Sequence, residues 1–261
     1  MNNLLLGAIV GDIFGQPYEF KKSRQNSPCF DLFENKGKFT DDTVCTIGVA
    51  EAIIHNPKNL DFTTFVSKWC SKYPYAGYGK LFKKWIVSDK KEPYGNGSAM
   101  RVSPCGYLYE YEDVLYFSTK QAEITHNHKK GIIGANCVAD LIWSAREGYT
   151  KKELTDIASE YYPNYDFDAP IEKVRKGYTF DSSCEGSVPQ AIRCFLESTS
   201  YESCIRNAIY LGGDADTIGA ISGSIAYWKE MNEDMKDYAL EILPKEMIKI
   251  INDFDNFIKQ Q

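Results

Sequence analysis

Gly212-Gly213-Asp214-Ala215-Asp216-Thr217-Ile218-Gly219 is the stretch on which the reading of this chain turns. Two glycines run into two carboxylates and a hydroxyl. Directly behind them Ile218, Ile221, Ile225 and Trp228 recur at helical spacing, so the acids stand at a helix start. Gly219 and Gly223 lie in the same segment, where a missing side chain lets a neighbouring helix approach closely. Asp and Thr are favoured at a helix N-cap and in its first turn for reasons of their own. Taken alone, the motif is explained as well by capping as by chemistry.

The same periodicity organises the rest of the chain. Val44, Ile47, Glu51 and Ile54 mark a helix from Thr43 onward, with only Glu51 polar, and His55-Asn56-Pro57 ends it. Residues 131–147 place Ile133, Cys137, Leu141 and Ala145 on one stripe, which Gly148 stops; residues 200–211 and the amphipathic tail 240–258 repeat the pattern. The apolar run 4–10, interrupted by Gly11-Asp12, reads as a buried helix followed by a turn. Strand signals are weak: the one Asn-Gly pair, Asn96-Gly97, lies in a glycine-rich loop and not between alternating apolar runs. The Tyr-, Pro- and Asp-rich stretch 161–180 reads as a long ordered loop, and no internal repeat is present. The expectation is an all-α, single-domain compact helical fold over residues 1–261.

Composition narrows the function. The chain has 261 residues, 43% hydrophobic and 25% charged, with a formal net charge of -6, which argues against a broad nucleic-acid-binding face while leaving a local basic groove open. No stretch approaches the roughly 20 apolar residues of a membrane helix. The N-terminus lacks the basic region of a signal peptide. The eight cysteines are scattered without a C-x-x-C pair, as expected of small buried thiols in a reducing compartment. These features predict a cytoplasmic protein, taken here as a monomer with no membrane partner.

A second acidic cluster, Phe39-Thr40-Asp41-Asp42-Thr43, precedes the helix that begins near Thr43. One cap explains one residue; two adjacent carboxylates between two hydroxyls supply more oxygen than a helix start requires. They are hard ligands of the kind Mg²⁺ selects. Two distant acid-plus-Thr clusters at helix N-termini suggest two helix ends converging on a shared cation site, with enough carboxylates for two divalent ions.

Three further segments carry polar groups. Gly11-Asp12-Ile13-Phe14-Gly15-Gln16-Pro17-Tyr18-Glu19-Phe20 suits a turn presenting acids beside a core. Tyr94-Gly95-Asn96-Gly97-Ser98-Ala99-Met100-Arg101-Val102-Ser103-Pro104 is neither a dinucleotide fingerprint nor a P-loop. Its glycines allow either an anion-binding nest, with Ser98 as an added donor, or a plain turn. Thr125-His126-Asn127-His128 suits hydrogen bonding to a polar ligand, or a helix cap.

In this order, Gly11-Asp12…Gly15…Glu19-Phe20, Phe39-Thr40-Asp41-Asp42-Thr43, Gly95-Asn96-Gly97-Ser98-Ala99-Met100-Arg101, Thr125-His126 and Gly212-Gly213-Asp214-x-Asp216-Thr217-Ile218-Gly219-Ala220 resemble the ADP-ribosylglycohydrolase family. The resemblance spans most of the chain. It implies an all-α fold with two Mg²⁺ (sometimes Mn²⁺) in a cleft, and hydrolysis of the glycosidic bond joining ADP-ribose to an acceptor. The substrate it implies is an ADP-ribosylated protein or other ADP-ribose conjugate. Carried over by motif, Thr40, Asp41, Asp42, Asp214, Asp216 and Thr217 would hold the metals, and Glu19 would be the catalytic acid. Gly95, Asn96, Gly97 and Ser98, with Met100, would bind the diphosphate end, and His126 a ribose. One departure is Ala215, where many relatives carry a second Thr; it lies between ligands and need not coordinate.

Two other readings stand beside this one. A catalytically silent, ADP-ribose-binding member of the same fold would keep the cleft without turnover. A Mg²⁺-dependent glycosyltransferase would use Asp214-Ala215-Asp216 as a D-x-D motif, but it calls for an alternating strand–helix pattern that the chain lacks.

Overall fold

In a computed structural model, residues 3–20, 25–88, 95–227 and 230–261 are described. Among them run fifteen α-helices: α1 (Leu6–Gly15), α2 (Asp41–His55), α3 (Phe62–Lys72), α4 (Lys80–Ser88), α5 (Gly97–Met100), α6 (Ser103–Gly106), α7 (Tyr111–Glu123), α8 (Lys129–Arg146), α9 (Lys151–Tyr161), α10 (Ile171–Gly177), α11 (Cys184–Glu197), α12 (Tyr201–Leu211), α13 (Ala215–Ala226), α14 (Glu233–Ile242) and α15 (Lys245–Ile258). A 3-10 turn, Gln16–Tyr18, follows α1. The only β feature among the described residues is an isolated antiparallel bridge between Gly95 and Ser183. The all-α expectation holds.

The centre of the molecule is the antiparallel pair α1 and α13, every residue of which is buried. Glycines make the pairing possible. A Cβ on Gly11 would lie 2.0 Å from the Gly219 carbonyl oxygen, and one on Gly223 would lie 2.4 Å from that of Gly7. A Cβ on Gly15 would lie 2.3 Å from the Ala215 oxygen. Small residues every fourth position thus let two backbones touch over their whole length. The freedom of approach expected at Gly219 and Gly223 is used, with α1 as the neighbour. Around this pair α11 and α12 pack on α13, α2 packs on α1 and α3, and α15 lies across α2.

Several boundaries differ from the sequence reading. Gly11-Asp12 does not interrupt the first helix, because Gly11 is where α1 touches α13. The tail divides into α14 and α15, since Pro244 cannot continue a helix and instead caps the next. The stretch 161–180 contains α10. Cys29 is exposed, whereas the other seven thiols are buried as expected. Trp228 and Tyr94 lie outside the described residues.

Candidate metal centre

Because α1 and α13 run antiparallel in contact, the start of α13 lies beside the end of α1, at Gly15 and Ala215. α2 reaches the same place through Asp12, a buried carboxylate in α1. Asp12 accepts four hydrogen bonds from the start of α2: the Thr40 N–H at 2.8 Å, the Thr40 hydroxyl at 2.7 Å, the Thr43 N–H at 3.2 Å and the Thr43 hydroxyl at 2.5 Å. One side chain therefore satisfies donors that a helix start leaves open. It also fixes Thr40, Asp41 and Asp42 against α1.

The two predicted clusters do converge. The Thr217 hydroxyl lies 3.4 Å from Asp42 Oδ2, and the Thr40 hydroxyl 3.2 Å from the same oxygen. Oxygens of Asp12, Asp42 and Asp216 lie within 4.8 Å of one another, as do oxygens of Glu19, Asp214 and Asp216. The two groups share Asp216. Glu19 enters from the end of the 3-10 turn, half-buried.

Nothing protein-borne neutralises this cluster among the described residues, whose ion pairs all lie elsewhere. Burial pushes the Asp12 carboxyl up to about 6 against its hydrogen bonds, and burial with the Asp181 charge pushes that of Asp214 up to about 6. Burial and the Asp214 charge raise Glu19 to about 7; burial and Asp12 raise Asp41 to about 8. Asp42 and Asp216 are driven well above the ordinary carboxylate range, again by burial first and then by neighbouring carboxylates. Asp42 Oδ1 is buried with no hydrogen-bond partner. An oxygen so placed suits a cation, and the donor set, all hard carboxylate and hydroxyl oxygen, fits a divalent ion of the Mg²⁺ type.

Above the acids opens a cleft of about 200 Å³. Asp41, Asp42, Asp214, Asp216 and Thr217 form its floor, and Gly95, Asn96, Gly97, Met100 and His126 one wall. A match to the ADP-ribosylglycohydrolase family model covers residues 2–226. The chain belongs to the ADP-ribosylglycohydrolase family. As a member it is a hydrolase of glycosidic bonds to ADP-ribose. It is 25% identical to ADP-ribosylhydrolase ARH3 of Gallus gallus, covering 85% of this chain and 83% of that one. It is 23% identical to ADP-ribosyl-[dinitrogen reductase] glycohydrolase of Rhodospirillum rubrum, covering 85% and 82%. A solved structure described as an ADP-ribosylglycohydrolase-related protein complex shares the fold, with a TM-score of 0.73 at 21% identity over 97% of this chain and 95% of that chain.

The glycine-rich loop of this ADP-ribosylglycohydrolase is tied to the protein around it. Gly97 opens α5 and is helical, outside the left-handed region. The Asn96 N–H donates to the Ser182 carbonyl at 2.8 Å, and the Asn96 side-chain amide donates to Asp214 Oδ2 at 2.6 Å. Asn96 thus orients an acid of the floor. Ser98 is fully buried, with its hydroxyl given to the Gly131 carbonyl at 2.9 Å, so that side chain faces away from the cleft. Gly97 is small because His126 packs on it: a Cβ there would lie 2.8 Å from His126 Cε1.

His126 is tuned by its neighbours. Burial, with the Arg101 charge nearby, pulls its pKa down to about 3, so the ring is neutral. Arg101 Nη2 donates to the Thr125 hydroxyl at 2.8 Å, which leaves that hydroxyl's own proton for His126 Nδ1 at 2.6 Å. The proton on the imidazole is thereby assigned to Nε2, which makes the cleft-side nitrogen a donor.

Asp12 is the residue the sequence reading passed over. It was visible as an acid in the first segment, but its i, i+4 companions on α1 are apolar and the segment reads as a helix end. Nothing local shows that it grips a helix 28 residues away.

Proposed function

We propose that the chain is a Mg²⁺-dependent hydrolase that frees ADP-ribose from an acceptor, a protein side chain or a small molecule, and so reverses ADP-ribosylation. The observation that supports this best is the pair of acid groups joined through Asp216, with Asp42 Oδ1 of the first group buried and unpartnered. Thr40, Asp41, Asp42, Asp214, Asp216 and Thr217 would hold two Mg²⁺, or Mn²⁺, with Asp12 bracing the α2 ligands. Such ions supply positive charge that fixes neighbouring hydroxyl oxygens and makes water a stronger acid.

The protein groups supply the rest. Cleavage at C1″ passes through an oxocarbenium-like state and needs a proton delivered to the departing atom. Glu19, raised to about 7 by burial and by Asp214, is half-exposed in the cleft and able both to hold and to release that proton near neutral pH. The His126 Nε2–H donates to a ribose hydroxyl, and the backbone at Gly95 and Gly97, with Met100, lines the diphosphate end. The reaction takes place in the cytoplasm, where the eight cysteines, none in a disulfide, remain reduced.

The deciding experiment measures free ADP-ribose released from arginine-linked, serine-linked and nucleic-acid-linked conjugates, with Mg²⁺ and with EDTA. Release from a protein conjugate with Mg²⁺, abolished by EDTA, is expected. Tight binding of ADP-ribose without release from any conjugate would make the chain a silent binding member of its family. Release that is indifferent to EDTA would remove the metals from the mechanism.

A further inference from the structure

Two phenylalanines stand at the mouth of the cleft with nothing in the core to account for them. Phe20 is 67% and Phe180 42% exposed, and their rings meet at a centroid distance of 4.7 Å, tilted by 34°. Both line the same cleft as the acids. They come from distant parts of the chain. Phe20 follows Glu19 directly, in a left-handed backbone conformation (φ +57°) that only Asn3 shares among the described non-glycine residues. Phe180 belongs to the segment leading into α11, which is tied to the binding wall through the Asn96 N–H on Ser182 and the Gly95–Ser183 bridge.

A bulky residue held at positive φ with its ring in water carries backbone strain and gains little burial. Strain kept at the edge of a site points to use there. The position says which use. On the proposed function the acids of the floor would face the ribose, and Glu19 the atom that departs. One residue further toward solvent comes the group that departs with it. We infer that Phe20 and Phe180 are the acceptor-side specificity residues of the cleft, packing their rings against the carbon framework of the leaving group and not against ADP-ribose. This rests on the proposed function, and names what that reading leaves open: the element that distinguishes acceptors. Acceptors that offer a flat or methylene-rich surface beside the glycosidic bond are favoured over those that offer a bare hydroxyl carbon.

The test compares conjugate with product. Free ADP-ribose ends at the ribose and lacks the acceptor, so it does not reach the rings. In Phe20→Ala and Phe180→Ala, KM for the conjugate that the wild type cleaves rises about three- to tenfold, the loss of one aromatic contact. In the same variants kcat and the Kd of free ADP-ribose stay within about twofold, as expected when ground-state and transition-state binding fall together. Phe20→Tyr restores KM. If the wild type binds a conjugate without cleaving it, the Kd of that conjugate replaces KM, with the same expectation.

Equal losses for conjugate and free ADP-ribose would place the rings on ADP-ribose and overturn the inference. Unchanged KM, or a fall in kcat alone, would overturn it too. Each of those results leaves the proposed function intact. A wild-type protein that neither binds nor cleaves any conjugate would overturn the proposed function and this inference with it.

Discussion

The Asp12 carboxylate accepts the backbone N–H of Thr43 at 3.2 Å, so the first turn of α2, which Thr40 caps at the Asp42 N–H, is also capped by a residue of α1. The link is mechanical as well as local, since the capped turn carries Asp41 and Asp42. Asp12→Ala is expected to cost about 2 kcal/mol of stability, the upper range for a lost cap. It is also expected to weaken Mg²⁺ binding. Urea unfolding and calorimetry measure the two effects; unaltered Mg²⁺ affinity would mean that α2 holds its ligands without help.

Asp41→Ala and Asp216→Ala are expected to abolish turnover and weaken Mg²⁺ binding while the chain remains folded. Each removes a carboxylate that repels its neighbours in the metal-free protein. Circular dichroism checks the fold and calorimetry the affinity. Wild-type Mg²⁺ affinity in both variants would reject the metal centre.

Glu19→Gln keeps the shape of the side chain and removes its ionisation. Turnover is expected to fall by about 10²-fold or more, the scale of general acid–base catalysis, with Mg²⁺ still bound. Near-normal turnover would take Glu19 out of the mechanism.

Stability of the metal-free protein is expected to fall as pH rises from 6.5 to 8. In the folded chain Glu19 titrates at about 7 and Asp41 at about 8, against about 4 when unfolded. The folded state therefore keeps protons that the unfolded chain has released. The stability this confers is complete below about pH 4 and is lost as pH rises through the folded values. His126, held down to about 3, acts in the opposite sense but only below its ordinary value of about 6.5, outside this window. Thermal melts in EDTA at the two pH values measure the fall, and Mg²⁺ is expected to raise Tm and flatten the slope. A flat EDTA profile would contradict the shared burial of the acids.

Gly219→Ala is expected to destabilise by about 3 kcal/mol, the upper end of ordinary overpacking costs, because its Cβ would lie 2.4 Å from the Gly11 carbonyl oxygen. Gly177→Ala, whose Cβ would meet nothing within 4 Å, is the control. Similar melting temperatures for the two variants would refute the tight α1–α13 contact.

How much of this was legible beforehand follows from the range of the forces involved. The stripe Ile218, Ile221, Ile225 and the acids at the starts of α2 and α13 are patterns within a few turns of one helix, set by the 3.6-residue period and by capping. They were readable as helices and as candidate ligands. The helix break at Pro244 was written in the sequence and was overlooked in an otherwise amphipathic tail. The roles of Ser98 and Asn96 were not legible, because a hydroxyl and an amide in a glycine-rich loop can face a ligand or the protein equally well. Their partners, Gly131 and Asp214, are 33 and 118 residues away.

The sequence by itself determined the helical class, the two acid-and-threonine clusters and the family they resemble, since each depends on neighbours along the chain. Only the tertiary structure decided that the clusters meet, that Asp216 belongs to both acid groups and that Asp12 clamps the start of α2. The physical reason lies in one contact: Gly11 against Gly219 sets the register of α1 on α13. That register brings carboxylates from three segments within 4.8 Å, where their mutual repulsion and burial make a cation the natural counterpart.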